Sequence, residues 1–139
     1  MNFIIDEENK VIICHASGVL TFERVHEFRA RMKSDKRFKR DYRQMLDLRD
    51  LTSIPLDSAQ IRQLAEEHVF EPDAHRAFVV STGLQHGLGR MFSAFREVEG
   101  EKNIGVFRTL EEAVHWLGIP VEAAKRALEA LRAPKSPKP

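Results

Sequence analysis

Residues 44–66 read QMLDLRDLTSIPLDSAQIRQLAE, and this stretch decides the fold. The segment Gln44–Leu48 is short and mostly apolar, which predicts a strand. Pro55 cannot lie inside a helix, so the next helix is expected to begin after it, at Asp57 or Ser58. The expected inward face of that helix carries Ile61, Leu64, Ala65 and His68. A strand that leads into an amphipathic helix is the repeating unit of an α/β fold.

Two further strand–helix units follow toward the C-terminus. Pro72 is expected to end the previous helix, and strands are expected at Ala77–Val80 and Asn103–Phe107. The helix between them should carry the widest apolar stripe of the chain, made of Leu84, Leu88, Met91, Phe92 and Phe95. Thr109 and Glu112 have the spacing of a capping box, which predicts one more helix. Its apolar positions and expected C-cap are Leu110, Ala113, Val114, Leu117 and Gly118.

The N-terminal part of the chain predicts a hairpin. Phe3–Ile5 and Val11–Ala16 are rich in strand-forming residues, and the polar stretch Glu7–Lys10 separates them. Ser17 and Gly18 are expected to bend or bulge the end of the second strand. Thr21 is the expected N-cap of a first helix. The apolar stripe of this helix is Phe22, Val25, Phe28 and Met32, with the stem of Arg29 as the alternative to Phe28.

The interior strands are apolar on both faces, which is typical of parallel strands covered by helices. Crossovers between parallel strands are almost always right-handed. We therefore expect an α/β fold: an N-terminal β-hairpin, then right-handed β/α units, with a mixed, mostly parallel five-stranded sheet. Residues 1–119 should form this domain. An extra C-terminal helix is expected over residues 120–133, with Val121, Ala124, Leu128 and Leu131 on one side, and a disordered tail over residues 134–139.

Composition excludes several classes of function. The 22 basic and 21 acidic residues leave a net charge of +1, which argues against nucleic-acid binding. No apolar run approaches the ~18 residues of a membrane span, and no signal peptide is recognised. A single cysteine, Cys14, allows no internal disulfide, so a cytoplasmic location is expected. Basic residues crowd the segment 29–43, which we interpret as a solvated helix end and loop, with an anion-binding patch as the alternative.

The stretch 44–66 resembles the STAS domain family, the sulphate-transporter and anti-sigma-factor-antagonist domains. The family signature is a Leu-Asp-Leu strand and, after a short connection, Asp-Ser-Ser-Gly at the start of a helix. Asp47 matches the strand aspartate, and Asp57 and Ser58 match the first half of the second motif. The resemblance covers residues 1–119 in element order and implies regulation by phosphorylation of the second serine. Ala59 occupies that position here and Gln60 replaces the glycine, so the resemblance implies partner binding without the usual switch.

Ligands of open α/β sheets bind outside the carboxyl ends of the parallel strands. The candidate ligand or partner residues on that rim are Asp47, Arg49, Asp57, Ser58, Ser81, Thr82, His86 and Arg90. The glycines of the segment Ser81–Arg90 would let a ligand approach the backbone, or they merely satisfy turn geometry. Ser58 is a possible phosphate acceptor, although Asp57 or Ser58 more simply caps the helix.

No catalytic, metal or cofactor pattern is recognised. The six histidines are scattered without the spacing of a helical metal site, and no nucleophile-elbow motif is present. The leading hypothesis is a non-catalytic STAS-like regulatory module that binds a protein partner. The alternative is a small anionic or amphipathic ligand site on the rim near Ser81–Arg90, which requires a pocket of at least ~300 Å³ under that loop. A homodimer through Val121–Leu131 is a further expectation. Trp116 is expected to be half-buried, whereas a partly exposed tryptophan would suit a protein interface.

Overall fold

The computed structural model describes residues 1–98 and 103–133. It confirms the α/β class, with strands and helices in the expected order. The elements are β1 (Asn2–Asp6), β2 (Val11–Val19), α1 (Phe22–Ser34), β3 (Arg43–Ser53), α2 (Ser58–Glu66), β4 (Arg76–Val79), α3 (Gly83–Val98), β5 (Ile104–Phe107), α4 (Leu110–Leu117) and α5 (Val121–Arg132). The expected tail at residues 134–139 lies outside the described residues.

The strands form one five-stranded sheet in the order β1-β2-β3-β4-β5. The hairpin pair β1–β2 is antiparallel, and the other neighbouring pairs are parallel. The ladder between β2 and β3 is irregular between His15 and Ser17, and Gly18 has a φ of 72°, so the expected bulge is confirmed. None of the helices in the described ranges is long and apolar enough to cross a membrane.

Helices cover both faces of the sheet. Helices α4 and α5 pack over Val11, Ile13, Met45, Ala77 and Val79. On the opposite face, α1, α2 and α3 enclose a second set of buried apolar side chains, which includes Phe28, Met32, Ile61, Leu64, Phe78 and Phe92. Two glycines have a structural role. The backbone at Gly89 lies close to β5, since a Cβ there would lie 3.1 Å from Val106. Gly118 caps α4 with a φ of 73°, a left-handed conformation that favours glycine.

Three elements differ from the sequence prediction. Strand β3 extends to Ser53, five residues beyond the predicted end, because β2 pairs with it as far as Val19. Helix α2 ends at Glu66, well before Pro72, and His68 therefore lies beyond it and is exposed. Met91 is 39% exposed, because the predicted stripe of α3 is too wide to be buried on one face.

The basic segment 29–43 is not a uniformly solvated surface. Arg29 is buried and donates to the carbonyl of Leu64 at 2.8 Å. Arg43 donates to the carbonyls of Leu117 and Asn9 at 2.6 and 2.5 Å. These two arginines tie distant elements together, so the interpretation as a solvated helix end is wrong for them.

Helix α5 packs on its own domain. Ala124 and Leu128 are buried against β2 and α4, and Val121 and Leu131 are partly buried in the same cluster. The apolar stripe from which a homodimer was expected is therefore already in contact with the sheet. Self-association through this helix stays a prediction.

Candidate functional site

The aspartate of the strand motif lies in a buried ion-pair cluster at the carboxyl end of the sheet. Asp47 is fully buried, and its carboxylate accepts from Nε of Arg49 at 2.9 Å and from the Arg49 backbone N–H at 3.0 Å. A second guanidinium, that of Arg132 at the end of α5, lies 3.4 Å from the same carboxylate. Two cations thus compensate the buried charge, as burial of a carboxylate requires.

Asp50 and His15 extend the same cluster. The Nε2 atom of His15 lies 2.7 Å from Oδ2 of Asp50, and Nε of Arg132 donates to that oxygen at 2.9 Å. The hydrogen bond from His15, together with the charge of Arg132, holds the pKa of Asp50 below its ordinary value, against a smaller opposing effect of burial. We call His15, Asp47, Arg49, Asp50 and Arg132 the rim cluster.

Sequence reasoning placed Asp47 and Arg49 on the rim but missed the other three members of the rim cluster. His15 could have been found, because it is the register partner of Asp47 on the neighbouring strand. Arg132 could not, because it meets Asp50 across 82 residues of chain. Asp50 was placed beyond the end of a strand that in fact continues past it.

Ser81 and Thr82 are engaged in the turn that starts α3. The side-chain oxygen of Gln85 accepts from the Ser81 backbone N–H at 2.9 Å, and Thr82 Oγ1 accepts from the Gln85 N–H at 3.2 Å. The Ser81 hydroxyl lies 3.3 Å from the Arg49 carbonyl, which links this turn to the rim cluster. Gln85 itself is 2% exposed and donates to the Leu51 carbonyl at 3.1 Å. Side chains of this turn therefore provide hydrogen-bond partners for carbonyls of β3 beyond the point where β4 stops pairing with that strand.

Asp57 caps α2, as the simpler of the two readings expected. Its side chain accepts from the Gln60 N–H at 2.8 Å, and the Gln60 side chain accepts from the Asp57 N–H at 3.1 Å, which completes a capping box. Ser58 is the first helical residue, it is exposed, and its hydroxyl takes no part in the cap. The replacement of the motif glycine by Gln60 therefore has a structural role.

His86 and Arg90 do not converge with the other candidates. Both lie on α3, where His86 is half-buried and Arg90 is exposed. Arg90 borders an open groove of about 410 Å³ between α3 and β5, which includes none of Ser81, Thr82 and His86. This groove exceeds the ~300 Å³ expected of a ligand pocket, but it does not lie under the loop at Ser81–Arg90.

A separate cavity lies between the sheet and helices α1, α2 and α3. Its volume is about 70 Å³, and its lining is apolar apart from Arg29, Gln44 and Arg76. The Arg76 guanidinium lies 4.8 Å from the ring centre of Phe70, and its Nε donates to Gln44 at 2.9 Å. The cavity is much smaller than the ~300 Å³ at which ligand pockets begin.

Trp116 contributes to an aromatic cluster on the α4 side of β5. Its ring centre lies 4.9 Å from that of His75 and 5.4 Å from that of Phe107, and the residue is 36% exposed. Trp116 is thus more exposed than the half-buried side chain that was expected, and a protein interface at this residue stays a prediction.

Each residue of the rim cluster pairs with another member of the cluster. The described ranges contain no group of three or more histidine, cysteine or acidic side chains placed to hold a metal ion. Burial raises the pKa of the Cys14 thiol to about 12, so the thiolate needed for nucleophilic chemistry does not form near neutral pH. Comparison with models of known families, with curated proteins and with solved structures finds no match to this chain.

Proposed function

We propose that the protein is a non-catalytic, STAS-like regulatory module that binds another protein at the overhanging ends of β2 and β3. The observation that carries this proposal is the exposed apolar end of β2: Val19 is 45% exposed, and it pairs with Ser53 beyond the end of β4. Apolar side chains exposed beside polar backbone are typical of protein contact surfaces.

The start of α2 adjoins this overhang. Asp57 and Ser58 follow Ser53 by only a few residues, and both are exposed. Together with the buried Asp47, these two residues carry the STAS resemblance, and their exposure supports a partner surface at the exposed strand ends. We call Val19, Ser53, Asp57 and Ser58 the overhang surface.

The charge around the overhang surface is mixed. The carboxylates of Asp50 and Asp57 are exposed, whereas the Arg24 guanidinium donates to the carbonyls of Val19 and Ser17, and Arg132 pairs with Asp50. We infer a partner that presents an apolar side chain to Val19 and polar side chains of both charges around it. The regulatory role and the cytoplasmic location belong to the same proposal. The former rests on the resemblance, and the latter on the single buried thiol of Cys14.

Site-specific photo-crosslinking tests the proposal. A photoreactive amino acid at position 19 or 58 of the full chain should capture one specific protein in the native host. The same amino acid at Lys36 is the matched control, because that residue is exposed and lies in the loop that precedes β3. The captured protein, once purified, should bind the wild-type chain and lose about tenfold or more in affinity with Val19→Glu. Equal capture at all three positions, or binding that Val19→Glu leaves unchanged, contradicts the proposal.

The small-ligand alternative has weaker support. Two features of the described residues bear on it: the open groove of about 410 Å³ beside Arg90, and the apolar cavity beside the buried Arg29 and Arg76. The groove does not lie under Ser81–Arg90, and the cavity, at about 70 Å³, admits an amphipathic ligand only after α1 or α2 moves away from the sheet.

A further inference from the structure

The outer flank of α3 carries a stripe of side chains with an internal symmetry. The groove beside β5 is lined from α3 by Arg90, Ser93, Ala94 and Glu97. This spacing places the four side chains on one face of the helix. Two small residues occupy the middle of the stripe, and a cation and an anion occupy its ends. The stripe is symmetric about its midpoint. When two copies of it lie antiparallel, Arg90 of one lies opposite Glu97 of the other, and Ser93 lies opposite Ala94.

No described residue pairs with the charges at the two ends of the stripe. Arg90 and Glu97 are both exposed, and neither forms an ion pair with any of the described residues. They lie seven residues apart, or about 10.5 Å along the helix axis, too far to pair with each other. Each is therefore available to an opposite charge from outside.

Strand β5 presents a free edge to the same groove. It pairs on one side with β4, and the described residues place no strand on its other side. The carbonyls of Asn103 and Phe107 accept from β4 at 2.8 and 2.9 Å. Because hydrogen-bonding direction alternates along a strand, the N–H and C=O groups of Ile104 and Val106 point to the free edge.

We propose that this surface, α3 together with the free edge of β5, binds a second copy of the same chain about a two-fold axis. In such an arrangement β5 pairs antiparallel with the partner copy, centred on Gly105. Ile104 and Val106 then exchange four backbone hydrogen bonds with their counterparts. The two sheets become one sheet of ten strands, and the exposed edge is removed.

The same two-fold axis brings the two α3 helices together antiparallel. Arg90 of each copy meets Glu97 of the other, and Ser93 meets Ala94. Helix axes pack 8–10 Å apart, and small side chains at the centre allow such an approach. A foreign peptide strand could use the edge of β5, but it would not explain a stripe that complements itself. This inference goes beyond the proposed function and uses a different surface, so either can fail alone.

Sedimentation equilibrium of the full chain, over a concentration series, tests the proposal. The wild type should approach twice its chain mass of 16.0 kDa. Arg90→Glu and Glu97→Arg should each raise the dimer dissociation constant about tenfold or more, because two symmetry-related attractions become repulsions. The double variant that carries both changes should restore the dimer, because the opposite charges then meet again. Ala94→Arg should abolish it.

Arg126→Glu and Glu129→Arg are the matched controls, since both residues are exposed on α5. They should leave the dissociation constant unchanged, and circular dichroism should show that every variant is folded. A wild type that stays monomeric up to about 1 mM overturns the proposal, because its dimer dissociation constant would then be weaker than that of a specific dimer. A dimer that persists in the Ala94→Arg variant also overturns the proposal. A dimer that dissociates when the α5 residues are substituted overturns it too. A monomer that still crosslinks a partner through position 19 would remove this proposal and leave the proposed function standing.

Discussion

The Nη1 atom of Arg29 donates to the carbonyl oxygen of Leu64 at 2.8 Å, so a guanidinium from α1 closes the C-terminus of α2. Arg96 of α3 does the same for the carbonyls of Ala65 and Glu67. A helix leaves its last four carbonyls without partners, and here two of them, those of Leu64 and Ala65, belong to buried residues. Two buried cations therefore satisfy the end of a helix dipole and hold three helices together.

Substitution of Arg29 by methionine should be strongly destabilising. It leaves the Leu64 carbonyl and the Glu67 carboxylate without their buried donor, and we expect a loss of about 2–4 kcal/mol in the free energy of unfolding. Urea denaturation followed by circular dichroism measures it. Lys33→Met is the matched control, because Lys33 pairs with the same Glu67 carboxylate at 2.8 Å but is half-exposed. It should cost less than about 1 kcal/mol. Equal losses in the two variants would show that the carbonyl contact contributes nothing.

Asp57 and Ser58 should differ sharply in their contribution to stability. Asp57→Ala removes the capping box of α2 and should lower the free energy of unfolding by about 1 kcal/mol. Ser58→Ala removes an exposed hydroxyl outside the cap and should change it by less than about 0.5 kcal/mol. Thermal unfolding of both variants provides the comparison. A larger loss for Ser58→Ala would mean that the hydroxyl, and not the carboxylate, is the cap.

The order of elements could be predicted in part because several helix starts carry a local signal. Thr21 and Thr109 accept from the backbone N–H three residues on, at 3.2 and 3.1 Å, as their positions predicted. Only half of the box at Thr109 forms, because Glu112 pairs with the threonine hydroxyl and not with its backbone N–H. Caps and apolar periodicity depend on neighbouring residues, so a single sequence reveals them.

The missed features all depend on distant contacts. The polar end of β3 is a strand only because β2 and Gln85 satisfy its backbone. The stem of Arg29 is an alternative member of the inward stripe of α1 in the sequence, but nothing near it in sequence indicates the α2 carbonyl that its guanidinium meets. The rim cluster was half-predicted for the same reason, since Asp47 and Arg49 are neighbours while Arg132 comes from the last helix.

Acid should weaken the protein partly through Asp50. Its folded-state pKa lies below the ordinary value of 3.8, chiefly through the hydrogen bond with His15. A lowered folded pKa contributes stability that is fully present above the unfolded pKa and is lost as the pH falls through the folded one. Asp50→Asn should therefore lose less stability than the wild type as the pH falls below 3.8. Chemical denaturation at pH 6, 4 and 3, values chosen to span the ordinary range of carboxylates near pH ~4, measures the difference. Parallel pH profiles would contradict the assignment.

A side chain at Gly105 should be incompatible with the present position of the Phe107 ring. A Cβ at Gly105 would lie 2.5 Å from Cε2 and 2.6 Å from Cζ of Phe107, whose ring is held between the strand and Trp116. Gly105→Ala must displace that ring, and overpacking of this kind costs about 1–3 kcal/mol. Trp116 is the only tryptophan, so its fluorescence should report the displacement directly.

The double variant Gly105→Ala with Phe107→Leu tests the cause of that loss. Leucine is shorter than phenylalanine and leaves room for the new methyl group, so the two changes together should cost less than the sum of the single changes. Contacting residues couple by about 0.5–3 kcal/mol in such a cycle. Phe95→Leu is the matched control ring, because it packs on the opposite face of the sheet from Phe107, beside Arg62 of α2, and its combination with Gly105→Ala should be additive. Additivity in both cycles would place the strain of Gly105→Ala in the backbone and not in the Phe107 ring.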